Sequence, residues 1–110
     1  MDKISLTRLA REQLQTARNA SSGCASKTVY GGHKLSLRQT VIAVLGGERL
    51  IEHENPGEAT VFVLQGRVEV SAGKAVSTGV TGELLILPDA RHALAAVEDS
   101  VVVLTVARRL

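Results

Sequence analysis

Two short stretches hold the residues of this chain that could do chemistry. The first runs from Gly47 through Ile51, His53 and Asn55 to Gly66, and the second from Gly82 through Pro88 and Asp89 to His92. In the first, five residues separate the opening glycine from His53; in the second, five separate it from Pro88, with His92 close behind. Imidazole binds transition metals and titrates near neutrality, so this pair reads either as part of a metal cage or as polar anchors in a pocket. A stable metal site normally draws three or four ligands from the protein. Here the further donors would have to come from Asn55, Glu54, Glu58 or His33. Glu54 follows His53 directly, and on a strand it should point the opposite way unless a bulge intervenes. Asp89 is the carboxylate closest to His92 that could orient an imidazole, although a turn residue after Pro88 more often supports the turn itself.

The elements that must position these residues are short and mostly extended. From Thr28 onward, apolar runs at 28–30, 38–45, 48–53, 59–65, 67–72, 75–80, 83–88, 91–95 and 100–107 alternate with turn residues such as Gly46-Gly47, Asn55-Pro56-Gly57, Gly73-Lys74 and Pro88-Asp89. Regular short strands with this punctuation predict an antiparallel sandwich or barrel. Residues 4–19 instead repeat Leu6, Leu9, Ala10, Leu14 and Ala17 at helical spacing, which predicts one amphipathic helix. The expected organisation is a helix and linker over residues 1–27 and a β domain over 28–110.

Several strands are apolar on both faces, as in Val41-Ile42-Ala43-Val44-Leu45 and Val101-Val102-Val103-Leu104. One face can fill the interior, but the other must also be covered. The helix can cover part, and a homodimer is the simplest cover for the rest. With 110 residues, no Trp, one Phe and one Tyr, the core must be aliphatic.

The net charge of +2 is scattered, and aromatic stacking platforms are missing, which argues against a nucleic-acid partner. No segment approaches the ~20 apolar residues that span a bilayer, and no membrane partner is expected. The lone Cys24 excludes an intramolecular disulfide, and a cytoplasmic location is expected. With no basic cluster beside it, Cys24 reads as a small loop residue rather than a nucleophile.

The region from about Gly47 to Val106 resembles the small single-domain cupins, a jelly-roll β-barrel superfamily. Gly47, His53 and Gly66 stand where the first cupin motif has its opening glycine, first histidine and closing glycine. Gly82, Pro88 and His92 answer the second motif's glycine, proline and histidine. The motif's second histidine is replaced by Asn55, its glutamate by Ala59 and its final asparagine by Ala96. The resemblance implies a cupin-type antiparallel jelly-roll β-barrel with one N-terminal helix. Strand periodicity then puts His53 on a face with Ile51, and Ala59 on a face with Val61 and Val63.

Two functions follow. The first is a small-molecule-binding protein with His53, Asn55 and His92 as polar anchors and Ile51, Ala59 and Val61 as lining, needing neither cofactor nor catalytic residue. The second is a cupin enzyme of dioxygenase or isomerase type, holding iron, manganese, zinc or nickel on His53 and His92. The depleted motifs favour the first.

Overall fold

In a computed structural model, which describes residues 1–53 and 57–108 and the side chains of all of these except 51–53, one helix precedes nine strands. The helix α1 (Leu6–Arg18) is followed by β1 (Cys24–Tyr30), β2 (Leu37–Val44), β3 (Arg49–His53), β4 (Gly57–Gln65), β5 (Arg67–Ala72), β6 (Ala75–Val80), β7 (Leu84–Leu87), β8 (His92–Ala96) and β9 (Ser100–Arg108). They form a five-stranded sheet of order β1-β2-β9-β4-β7 and a four-stranded sheet of order β3-β8-β5-β6. Every pairing is antiparallel.

Among the described residues no ladder joins the two sheets, so the expected barrel is not closed by hydrogen bonds. The sheets instead pack face to face through aliphatic side chains, with Ile42, Val61, Val63, Val68, Val70, Leu94, Val102 and Val106 at the centre. The first strand also begins earlier than Thr28. Cys24–Lys27, expected as linker, pair with Val44–Val41, because β2 offers a long ladder whose edge would otherwise stay bare. Cys24 is consequently a half-buried strand residue, not a loop residue.

The helix forms where its stripe predicts. The Ser5 hydroxyl caps it by accepting from the Arg8 N–H at 3.2 Å, satisfying one of the orphan donors of the first turn. Its buried face, Leu9, Ala10, Leu14 and Ala17, lies on the outward side of β2 and β9 against Val41, Ala43, Val101 and Val103. Thus the second apolar face of these strands is covered from within the chain. Coverage stops short of β7: Leu84 is 56% exposed and Ile86 79% exposed.

A single hydroxyl ties the sheets together at one end. Ser100, 1% exposed, accepts from the Arg67 N–H at 3.0 Å, and its own hydrogen lies within reach of the carbonyls of Glu98 (2.7 Å) and Arg67 (3.1 Å). Gly66, just before, has φ +102, and a Cβ there would come within 2.3 Å of the same hydroxyl, which explains the motif's closing glycine. Nearby, Asp99 accepts from the Gly46 N–H at 2.8 Å and lies 3.7 Å from Arg18, a half-exposed pair that contributes little.

Replacing Ser100 with alanine removes the acceptor of the Arg67 N–H in a part-buried turn. The expected loss is about 1–3 kcal/mol. Urea denaturation should show a lower midpoint with an unchanged slope, and an unchanged midpoint would refute the structural role.

Candidate functional site

A cavity of about 140 Å³ lies between the sheets. The inward residues of the five-stranded sheet form one wall: Ser26 on β1, Thr40 and Ile42 on β2, Val102 and Leu104 on β9, and Val61 on β4. The opposite wall is Leu50 on β3, Val70 on β5, and His92, Ala93 and Leu94 on β8. Most of these side chains are aliphatic because the pleat turns every second residue of each strand inward, and the strands of this chain are rich in valine and leucine. The polar groups on the wall are the Ser26 and Thr40 hydroxyls and the His92 imidazole, which is only 8% exposed.

Of the residues expected at the site, Val61 and His92 line the cavity. Ala59 does not. It is buried on the same face of β4 as Val61 and Val63 but belongs to the aliphatic core, its other neighbour in space being a surface groove with Glu58, Thr60 and Ile86. Asn55 lies outside the described residues, as do the side chains of Ile51 and His53. The backbone of β3 is informative nonetheless. Its register places Leu50 opposite Leu94 and His53 opposite His92, with one extra residue on the β3 side between them. The β3 residue that lines the cavity among those described is Leu50. The same register sets the backbones of the two motif histidines directly across from each other.

The other candidates sit elsewhere. Asp89 is exposed in the groove beside Glu58, not on the cavity wall. His33 is exposed in the loop after β1, where it borders a shallow basin with Arg38 and Arg108. Among the described residues no three of His, Cys, Asp and Glu converge as a metal site would need. Moreover the methyl of Ala59, where the cupin motif has its glutamate, is buried among hydrocarbon and offers no donor. Ala59 therefore supplies no ligand, and the side chains of His53 and Asn55 lie outside the described residues.

Sequence reasoning missed Thr40, Ile42, Val102 and Leu104. Their strands were recognised, but runs apolar on both faces do not say which parity faces in. The start of β2 offered no signal either, because polar residues fall on both parities, Arg38 and Thr40 on one and Gln39 on the other.

No protein-family model matches the chain, and no curated protein matches it in sequence. Solved structures do. A conserved protein of unknown function from Streptococcus pyogenes is 26% identical, over 83% of this chain and 79% of that one, with a TM-score of 0.74. A cupin 2 conserved barrel domain protein from Leptotrichia buccalis is 26% identical, over 81% of this chain and 43% of that one, with a TM-score of 0.72. A cupin superfamily protein from Desulfitobacterium hafniense is 17% identical, over 78% of each chain, with a TM-score of 0.70. The fold of this chain is that of small cupin-domain proteins. No helix among the described residues is long and apolar enough to cross a membrane.

Cys24 packs against the inter-sheet core with its thiol 3.9 Å from the Arg49 carbonyl. Burial raises its pKa, and the Glu48 carboxylate raises it further. A raised thiol pKa keeps the neutral form to higher pH, so the associated stability is complete below the free thiol's pKa and is lost as pH rises through the folded one. Alkylation by iodoacetamide should accordingly have its pH midpoint above that of a free cysteine, and Glu48→Gln should bring it only partly back. A midpoint at or below the free value would contradict the burial seen here.

Proposed function

We propose that this protein binds a small, partly apolar molecule between its two sheets, which serve as the walls of a jelly-roll barrel. The observation that carries the reading is the cavity itself: aliphatic on nearly every side, yet furnished with a buried imidazole at one place and hydroxyls at another. A dry apolar cavity of roughly 150 Å³ takes a molecule the size of benzene, which sets the scale of the apolar body. In this reading His92 orients the ligand from β8, Val61 and Leu50 contact its hydrocarbon, and His53 and Asn55 complete the polar end. Ligands this small reach dissociation constants of roughly 10 μM to 1 mM. Saturating ligand should raise the unfolding temperature, and a His92→Leu variant should bind polar ligands more weakly while keeping its affinity for purely apolar ones. Equal weakening of both would count against His92 as the polar anchor.

The metal-dependent enzyme is the second reading, supported by the β3–β8 register that sets His53 across from His92. Metal analysis of protein purified without chelator decides between the two. Stoichiometric iron, manganese, zinc or nickel that disappears in a His53→Ala/His92→Ala double variant would establish the metal reading. Failure to take up any of these ions on addition would end it.

The protein acts as a homodimer in this proposal, a second copy covering Leu84 and Ile86 on the edge strand β7. That strand carries no charge or proline within Leu84–Leu87, the devices by which edge strands usually avoid pairing. A two-fold axis brings two such edges together. Light scattering should give a dimer at micromolar concentration and a monomer for Ile86→Lys. A monomeric parent protein would refute the arrangement.

A further inference from the structure

Resting on the reading of the inter-sheet cavity as a binding site, we infer that its ligand is a small carboxylic acid, held by its carboxylate at a cationic mouth with its hydrocarbon body between the sheets. The inward column of β2 runs Ile42, Thr40, Arg38, and that of β9 runs Val102, Leu104, Val106, Arg108. Their registers pair Ile42 with Val102, Thr40 with Leu104 and Arg38 with Val106. Directly opposed residues of an antiparallel ladder project to the same face, and Val106 is in the inter-sheet core, so Arg38 continues the cavity wall outward. It is two residues beyond Thr40, about 7 Å along the strand, well within the reach of an arginine side chain.

The apolar cavity and the cationic basin share a wall. Thr40 lines the cavity, Thr28 lines the basin with His33, Arg38 and Arg108, and the Thr28 and Thr40 hydroxyl oxygens are 3.2 Å apart. No carboxylate borders either space among the described residues. The two arginines differ in what they already do. Arg108 donates from its guanidinium to the carbonyls of Gly32 and Leu35, the latter at 2.9 Å, and so holds the loop over the basin. Arg38, half-buried, makes no hydrogen bond or ion pair with any described residue, and a planar guanidinium with unused donors at the mouth of an apolar cavity matches a carboxylate. The cavity's volume allows a body of about six carbons, so hexanoate and benzoate have the right size.

The test compares hexanoate with hexanamide, and benzoate with benzamide, by calorimetry or NMR titration of the full chain and of Arg38→Gln. The parent protein should bind each acid about tenfold to a hundredfold more tightly than its amide, as a charge-assisted hydrogen bond implies. Arg38→Gln should bring the acid down to the amide's affinity and leave the amide unchanged, and Arg38→Lys should restore part of the difference. The preference should also shrink as salt is raised. Equal binding of acid and amide by the parent protein would overturn the carboxylate inference while leaving the cavity's binding role intact. Inorganic phosphate binding as tightly as hexanoate would overturn it too, by showing an anion site without an apolar part. If neither acids nor amides bind at millimolar concentration, the binding role falls together with this inference.

Discussion

Strand β9 has to be enclosed on both sides, and most of this structure is arranged around that requirement. Val101, Val102 and Val103 are all buried, so consecutive side chains on opposite faces of one strand are removed from water. Inward, β9 meets the four-stranded sheet across the aliphatic core. Outward, it meets the leucine face of α1. Each buried valine contributes on the order of 1.5–3 kcal/mol, and a chain with one phenylalanine and no tryptophan can reach a stable core only by adding many such contributions. The helix is therefore part of the domain's core rather than an appendage, even though it lies outside the strands in sequence.

The inter-sheet cavity follows from the same economy of side chains. Valine and alanine on facing sheets, among them Val61, Val70, Ala93 and Val102, leave space that leucine or phenylalanine would have filled. Polar groups at the cavity are few: a buried imidazole on β8 and hydroxyls towards the β1–β2 side. Such a pocket selects chiefly by shape and by where its few polar atoms fall.

Much of this was legible in the sequence. The nine strand runs and the helix followed from periodicity and glycine punctuation, whereas the placing of Val61 and His92 at the cavity came from the resemblance to the cupin motifs. What was not legible depends on departures from that periodicity. The β3 register carries an extra residue between Leu50 and His53, and nothing in Leu50-Ile51-Glu52 marks where it falls. The β1 pairing of Cys24–Lys27 was hidden by small polar residues that read as a linker until β2 gave them a partner. In β2 and β9, apolar residues on both faces conceal which parity faces the cavity. Ala59, where a cupin glutamate would sit, was expected on the cavity wall and is instead packed in the aliphatic core.

The position of β9 between β2 and β4 also governs the order in which the molecule can assemble. Neither neighbour touches the other, so the five-stranded sheet remains two separate fragments until β9 inserts between them. The hairpin β5–β6 and the α1–β1–β2 segment can organise locally, but the cavity, whose walls draw on both sheets, has no precursor in either. Closing such long-range pairings is slow, on the millisecond-to-second scale typical of β topologies. The cavity thus forms all at once, in the same step that completes the fold.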